Sequence, residues 1–294
     1  NVNIAATTVD EYRMLKEAEI GTYILFQETY HKESYKRLHP TGPKSDYNWH
    51  TEAMDRAMEG GIDDVGLGVL FGLEGYRYEF AGLLMHAEHL EAVHGVGPHT
   101  ISVPRVKPAM DINPDEFDNG IPDEMFEKLI ALIRIAVPYT GMIISTRESQ
   151  TVREHALQYG ISQISGGSRT SVGGYVEEQR PHDTEQFDVS DQVISWLLDN
   201  NHIPSFCTAC YRAGRTGDRF MSFCKNGEIL NFCHPNALIT LAEYLTDYAA
   251  PETRTKGMAI IQQELQKVTN PKTKELAESY IRNIVDGVGR DYRF

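Results

Sequence analysis

The chain has 294 residues, of which 41% are hydrophobic and 24% are charged, and these proportions are ordinary for a folded globular protein. Its formal net charge of −14 argues against a nucleic-acid partner, because binding to phosphates needs a basic surface. No apolar run approaches the roughly 20 residues that cross a bilayer, and the few, clustered cysteines argue against a secreted disulfide scaffold. We therefore expect a cytoplasmic protein with no membrane partner.

The first part of the chain predicts alternating strands and helices. Short apolar runs indicate strands at 21–27, 62–72, 100–103, 141–145 and 161–165. Helical patterns occupy 8–19, 47–60, 76–93, 122–137 and 148–159. This alternation predicts parallel strands joined by crossover helices, either in an open doubly wound sheet or in part of a closed barrel.

Two features favour part of a (β/α)8 barrel. No Gly-x-Gly-x-x-Gly opens a helix, so the dinucleotide-binding sheet lacks its phosphate loop. Polar residues instead gather at the predicted carboxyl ends of the strands, where such a barrel builds its active site; they include Gln27, Glu28, Arg105, Arg147 and Ser165. Five strands cannot close this barrel, so we expect a preceding part of the protein to supply the others.

The composition changes after Tyr175. Residues 176–190 are charged and loop-like, and helices are predicted over 191–200, 236–248, 251–268 and 271–285. We predict two domains, with residues 1–175 in the barrel part and residues 176–294 in a mostly helical second domain.

All four cysteines fall between positions 207 and 233. Cys207, Cys210 and Cys233 form Cys-x2-Cys-x22-Cys, a pattern that suits an iron–sulfur cluster with one iron open to another ligand. Including Cys224 gives Cys-x2-Cys-x13-Cys-x8-Cys, which a structural zinc ion also accepts. The spacing alone leaves a cluster, a zinc ion and reduced structural thiols open.

Several motifs together resemble the radical-SAM aromatic amino-acid lyases. They are Glu28-Thr-Tyr-His31, His39-Pro-x-Gly42-Pro43-Lys44, Met54-Asp-Arg-Ala57, Gly61-Ile-Asp-Asp-Val65-Gly-x-Gly68, Ser102-Val-Pro-Arg105 and Ser165-Gly-Gly-Ser-Arg-Thr-x-Val-Gly-Gly-Tyr175. The stretch from Cys207 to Asp218 resembles, within that family, the tyrosine lyases of FeFe-hydrogenase maturation. The resemblance covers essentially the whole chain.

The resemblance implies part of a radical-SAM TIM-like barrel followed by an iron–sulfur domain. It implies cleavage of tyrosine between Cα and Cβ to p-cresol and dehydroglycine, and then formation of carbon monoxide and cyanide on an iron at an auxiliary cluster. Other hydrogenase maturation proteins would be the partners. The family's Cys-x3-Cys-x2-Cys, which holds a second 4Fe-4S cluster, is absent from these 294 residues. We therefore expect no radical initiation from this stretch alone.

The resemblance also implies residue roles. Arg147 and Ser165 would hold the tyrosine carboxylate, although Arg147 could instead pair with Glu148. The residues implied for S-adenosylmethionine are Gln27, Glu28, Arg37, Gly68 and Val103.

For the metals, Cys207, Cys210 and Cys233 would ligate the auxiliary 4Fe-4S cluster. His86 would hold a fifth iron, linked to the cluster through a bridging cysteine or homocysteine. A histidine on an apolar helix is also often a buried, hydrogen-bonded core residue. Cys224 departs from the three-cysteine pattern. A zinc-stabilised interaction module without catalysis and a tyrosine lyase of the thiamine pathway are the competing interpretations.

Overall fold

A computed structural model describes residues 1–108, 113–166 and 190–294. The chain divides into two compact units, residues 1–187 and residues 188–294. The domain boundary predicted after Tyr175 lies outside the described residues and stays a prediction.

The first unit contains one parallel sheet. Its strands are β1 (Thr22–Ile24), β2 (Asp64–Gly68), β3 (Thr100–Ser102), β4 (Gly141–Ser145) and β5 (Gln163–Ser165), and they are hydrogen-bonded in chain order. A doubly wound sheet reverses its strand order at a switch point, whereas barrel strands follow one another around the axis. The order of these strands therefore indicates part of a barrel rather than an open doubly wound sheet.

Helices connect these strands. They are α1 (Val9–Glu17), α2 (Lys32–Leu38), α3 (Tyr47–Thr51), α4 (Ala53–Glu59), α5 (Tyr76–His94), α6 (Asp123–Ala136) and α7 (Gln150–Gln158), with a short 3-10 helix at Pro114–Glu116. The single helix predicted over 47–60 is two helices with a break at Glu52. Helix α2 was not predicted; it begins after His31, whose ring accepts a hydrogen bond from the Ser34 amide.

The core of this unit combines strand and helix side chains. Leu67 and Ile101 of the sheet are at most 1% exposed, as are Leu83 of α5 and Phe126 and Ile130 of α6. Each such side chain contributes about 1.5–3 kcal/mol to stability when it is fully buried. Because the sheet is packed in this core, the residues that follow the carboxyl ends of its strands are held in place.

The second unit is helical. It contains α8 (Ser190–Asp199), α9 (Ala209–Arg212), α10 (Gly217–Asn226), α11 (Leu230–Asp247), α12 (Pro251–Leu265) and α13 (Pro271–Val285). Helix α11 is central: Leu238, Ile239, Leu241 and Leu245 are fully buried in a cluster with side chains of α12 and α13. No helix in the described residues has the length and apolar character needed to cross a bilayer.

The structure differs from the sequence prediction around the cysteines. Helix α11 begins at Leu230 rather than at 236, so that Cys233 lies in its first turn and Pro235 lies within the helix. Proline usually ends or kinks a helix because it lacks an N–H, and this is why a later start was predicted. Helix α10, which contains Cys224, was not predicted.

Candidate functional site

The carboxyl ends of the strands bring several predicted site residues to one edge of the sheet. The Gln27 amide donates to the Gly68 carbonyl at 2.8 Å, and the Val103 amide donates to the Ile143 carbonyl at 3.1 Å. Ser165 lies beside Ser145 in the register of β4 and β5. Parallel strands end at the same edge of a sheet, and this is where a barrel places its site.

The residues predicted to bind S-adenosylmethionine have protein partners in this structure. Gln27 is 4% exposed, and its Nε2 donates to Thr51 Oγ1 at 2.9 Å. Glu28 has a left-handed backbone, with φ of 66°, and its Oε1 lies 2.6 Å from Lys44 Nζ. Arg37, on α2, donates from Nη2 to the Ser34 hydroxyl at 3.3 Å. Their roles toward this cofactor stay predictions.

Gly68 is required by a neighbouring side chain. A Cβ at this position would lie 2.6 Å from Cδ1 of Phe26, closer than real carbon contacts. The absence of a side chain at Gly68 therefore makes room for the Phe26 ring.

Arg147 and Ser165 follow adjacent strands. Arg147 Nη2 donates to the Pro108 carbonyl at 3.3 Å, and its amide donates to Ser145 Oγ at 3.2 Å. Ser165 is exposed, and its carbonyl accepts a hydrogen bond from the Thr146 amide at 3.1 Å. Their role as a carboxylate clamp stays a prediction, and residues 167–175 of the serine–glycine tract lie outside the described residues.

A buried ion cluster at the same edge was not predicted. Glu148, 4% exposed, accepts hydrogen bonds from Nε of Arg105 at 2.9 Å and from its Nη2, and pairs with Lys107 Nζ at 2.8 Å. Arg105 is 7% exposed; it also pairs with Asp123 at 2.8 Å, and its guanidinium lies 4.3 Å from the centroid of the Phe126 ring. Sequence reasoning placed Arg105 at a strand end, but no spacing signal links it to a residue 43 positions away.

His86 lies on α5 and makes one ring hydrogen bond. Its Nδ1 lies 3.0 Å from the hydroxyl of Tyr30, whereas its buried Nε2 has no partner among the described residues. Burial lowers the pKa of His86 to about 4, so the ring is neutral near pH 7. A neutral imidazole with a free nitrogen is a good ligand for iron.

The tautomer of the neutral His86 ring depends on which of the two groups donates in its hydrogen bond with the Tyr30 hydroxyl. Burial raises the pKa of Tyr30 well above its usual range, so its hydroxyl remains protonated. When Nδ1–H donates to the Tyr30 oxygen, the lone pair of Nε2 is left available to a metal. Tyr30 belongs to the Glu28-Thr-Tyr-His31 motif that the sequence analysis singled out. Its contact with His86, 56 positions away, could not be predicted from the sequence.

The low pKa of His86 predicts a pH-dependent contribution to stability. The unfolded imidazole binds a proton near pH 6.5, whereas the folded ring resists protonation down to about pH 4. Between these values the unfolded state binds more protons, so the free energy of unfolding falls as the pH falls, by up to about 1.4 kcal/mol per pH unit. We measure the free energy of unfolding by urea titration at about pH 7 and about pH 5. The decrease between these pH values should be smaller in a His86→Gln variant than in the parent protein, by up to about 1.4 kcal/mol per pH unit. If the free energy of unfolding depends on pH equally in both proteins, the low pKa of His86 is contradicted.

The cysteines lie in the second unit. Cys207 and Cys210 lie just before and within α9, Cys224 lies on α10, and Cys233 lies in the first turn of α11. Cys207 Sγ accepts a hydrogen bond from the Ala209 amide at 3.3 Å, a contact that sulfur ligands of iron–sulfur clusters commonly receive. This contact at Cys207 fits a cysteine that ligates a cluster.

The thiols also influence one another. Burial, together with the smaller effect of the charges of Cys210, Cys207 and Cys224, raises the pKa of Cys233 to about 11. Burial likewise raises the pKa of Cys207, which the charge of Arg215 partly offsets. The thiol of Cys233 therefore lies within range of the charges of the other three cysteines. Within the described ranges, no three His, Cys, Asp or Glu side chains are arranged as ligands of a single metal ion.

These elements define a class of fold: part of a barrel of parallel strands, followed by a mostly helical domain that contains the four cysteines. The fold agrees with that of methylornithine synthase, which covers 72% of this chain with a TM-score of 0.52 at 17% identity. The family described as the Biotin and Thiamin Synthesis associated domain matches residues 102–209.

The predicted resemblance is confirmed by solved structures. A crystal structure of HydG, a maturase of the [FeFe]-hydrogenase, matches 100% of this chain with 53% identity and a TM-score of 0.94. HydG from Carboxydothermus hydrogenoformans matches 96% of the chain with 40% identity and a TM-score of 0.78. The chain spans 64% and 62% of these two proteins.

Curated relatives share a shorter region. The 2-iminoacetate synthase of Escherichia coli is 32% identical over 181 residues, which are 59% of this chain and 47% of the relative. That of Salmonella typhimurium is 30% identical over 194 residues, 63% of this chain and 51% of the relative. The chain thus spans about half the length of these relatives.

Proposed function

We propose that this chain is part of a radical-SAM tyrosine lyase that cleaves the Cα–Cβ bond of tyrosine to p-cresol and dehydroglycine. We further propose that dehydroglycine is converted to carbon monoxide and cyanide on an iron at the cysteine centre, for assembly of the FeFe-hydrogenase cofactor. The observation that carries the proposal is the similarity to HydG over the whole chain, which includes the cysteine segment.

In this proposal the carboxyl edge of the sheet binds tyrosine and S-adenosylmethionine. Arg147 would hold the substrate carboxylate through two parallel hydrogen bonds, as a planar guanidinium can, and Ser165 would add a hydroxyl. The register of β4 and β5 supports this pairing, because it places Ser165 beside Ser145, two residues before Arg147. Fixing the carboxylate orients the carbon atoms of the substrate for reaction.

The cofactors supply the difficult chemistry when they are bound, namely a 5′-deoxyadenosyl radical and a site for iron. The chain's own residues bind and orient. Gln27, Glu28, Arg37, Gly68 and Val103 would surround S-adenosylmethionine, and Glu28 would have to exchange its Lys44 partner for the ligand.

Cys207, Cys210 and Cys233 would hold the auxiliary 4Fe-4S cluster in this proposal. His86 would present Nε2 to the fifth iron, which a bridging cysteine or homocysteine would link to the cluster. The unpaired Nε2 and the Tyr30 contact at Nδ1 support this role for His86. Further hydrogenase maturation proteins would receive the product.

A second candidate function is a tyrosine lyase that releases dehydroglycine and handles no iron. The similarity to the 2-iminoacetate synthases favours it over the part of the chain that they match. Production of carbon monoxide by the unaltered protein separates the two functions.

Anaerobic reconstitution of the full-length protein tests the metal assignment. With iron and sulfide, we expect more than one 4Fe-4S cluster per protein, read by metal analysis and by electron paramagnetic resonance. A Cys207→Ser variant should lose one cluster's share of iron and keep the other. Stoichiometric zinc bound by all four cysteines, with no second cluster signal, would instead support the zinc-stabilised interaction module.

A further inference from the structure

The residues around Glu28 form a strained turn just after β1. The Thr29 amide donates to the Gln27 carbonyl at 2.9 Å, which closes a three-residue turn with Glu28 at its centre. Glu28 has a φ of 66°, in the left-handed region that residues other than glycine rarely adopt. A γ-turn with a positive φ at its centre is the rare and strained form. Such strain persists only where the surrounding structure holds it, and it is concentrated at ligand sites.

A buried carboxylate on α5 binds the two residues that follow Glu28. Glu79 lies in the first turn of α5 and is fully buried. Its Oε2 accepts a hydrogen bond from the Tyr30 amide at 2.8 Å, and its Oε1 accepts one from the Thr29 hydroxyl. The Thr29 hydroxyl in turn accepts a hydrogen bond from the His31 amide at 3.1 Å. Both oxygens of Glu79 thus hold the chain immediately after the strained residue.

Other contacts restrict the same turn. The Leu70 amide donates to the Glu28 carbonyl at 2.9 Å, and the Tyr47 hydroxyl donates to the Tyr30 carbonyl at 2.8 Å. Gly82 allows α5 to approach closely, because a Cβ at this position would lie 2.5 Å from Cγ of Tyr30. The turn is therefore held by the chain after β2, by α3 and by α5.

The carboxylate of Glu79 is costly in this position. Burial raises the pKa of Glu79, and the hydrogen bonds from Thr29 and from the Tyr30 amide lower it in part. An apolar side chain would avoid the cost of burying a charge, but it would leave the buried Tyr30 amide without an acceptor. A carboxylate at this place thus serves the turn rather than the packing of α5.

We propose that Glu79 is a positioning residue for S-adenosylmethionine, which it affects by holding the strained turn that presents Glu28 to this ligand. The inference rests on the proposed function, in which Glu28 contacts S-adenosylmethionine. Glu79 acts through the backbone of the turn. Without its hydrogen bonds the turn relaxes to conformations with a negative φ at Glu28, and only the molecules that keep the turn bind the ligand well. The dissociation constant then rises by the inverse of that fraction.

The test is the dissociation constant of S-adenosylmethionine for the full-length protein. The protein is reconstituted anaerobically with iron and sulfide, and binding is measured by equilibrium dialysis without tyrosine or reductant. Glu79→Met removes both acceptor oxygens at nearly constant length, and we expect the dissociation constant to rise about tenfold, as when about a tenth of the molecules keep the turn. Glu79→Gln removes the charge but still accepts from the Tyr30 amide, so its rise should be clearly smaller.

Two further variants compare buried hydroxyl groups at opposite edges of the sheet. Thr29→Val removes the hydroxyl that donates to Glu79 and should raise the dissociation constant, by less than Glu79→Met does. Thr140→Val is the matched control. The Thr140 hydroxyl is also buried, but it donates to the Pro98 carbonyl at 2.9 Å, just before the amino end of β4. Its loss should lower stability and leave the dissociation constant unchanged.

Several results would overturn the inference. One is an unchanged dissociation constant in Glu79→Met. Another is an equal rise in Glu79→Gln and Glu79→Met, which would assign the effect to the charge of Glu79 rather than to the turn. If Glu79→Met does not fold, Thr29→Val and Thr140→Val decide, because equal affinities in these two variants would indicate a purely structural role. If the parent protein does not bind S-adenosylmethionine, the proposed function fails and the inference fails with it. Binding by the parent with unchanged affinity in the variants overturns the inference alone.

Discussion

A Cys207→Ser variant of the full-length protein is expected to keep producing p-cresol from tyrosine and to lose carbon monoxide. Cleavage of the tyrosine side chain would take place at the carboxyl edge of the sheet, which contains none of the cysteines. Carbon monoxide formation would need the cysteine centre, and mutation of even the outer partners of a metal site costs about 10–100-fold. We therefore expect carbon monoxide to fall by more than about 100-fold. Both products can be measured in one reaction, p-cresol by chromatography and carbon monoxide by its binding to a haem protein.

Cys224→Ser is the matched control for that experiment. Cys224 lies on α10 and is outside the three-cysteine pattern, so its replacement should preserve both products. If Cys224→Ser and Cys207→Ser behave alike, a four-cysteine site is indicated. Loss of neither product in Cys207→Ser would contradict the role of the cysteine centre in carbon monoxide formation.

A Glu148→Gln variant is expected to lose about 3–5 kcal/mol of unfolding free energy. The substitution removes the negative charge that pairs with both Arg105 and Lys107. Arg105 is 7% exposed and, among the residues that the structure describes, would keep only Asp123, whose side chain is 63% exposed, as a charged partner. Breaking a buried ion pair from one side is costly because the remaining charge stays away from water. Denaturant unfolding followed by circular dichroism measures the loss.

Glu124→Gln provides the comparison on the protein surface. Glu124 pairs with Lys128 one turn along α6, and the two side chains are 81% and 59% exposed. Solvent screens such an exposed pair, so the variant should unfold almost like the parent protein. A loss of less than about 1 kcal/mol in Glu148→Gln would mean that solvent reaches the Arg105 site and screens it.

The sequence predicts regular elements well where a single periodic signal dominates. The apolar runs that became β2 and β4 are bounded by glycine and polar residues, and the long pattern over 76–93 became α5, which ends before Gly95. Helix α11 was predicted too short because Pro235 interrupts the hydrogen-bond pattern locally. Burial of its later residues between α12 and α13 outweighs that local cost.

Contacts between distant residues were beyond sequence reasoning. For His86, the structure shows that Nδ1 lies beside the Tyr30 hydroxyl and that Nε2 has no partner in the described chain, and its role as a metal ligand stays a prediction. The three arginines after Cys210 have the same chemical character in the sequence. Only the structure separates Arg215 from the others, because burial depends on the packing of Phe232 and Phe294.

The strand order of the sheet has a consequence for how this part of the protein is made. Each strand pairs with the strand that follows it in the chain, so every new strand–helix segment docks on the one already formed. The paired residues Thr22 and Asp64, Gly66 and Thr100, Thr100 and Gly141, and Ile143 and Gln163 are 42, 34, 41 and 20 positions apart, and non-local pairing of parallel strands is slow. Because domains generally fold from the amino end during synthesis, the strands would begin to pair before the cysteine segment is made.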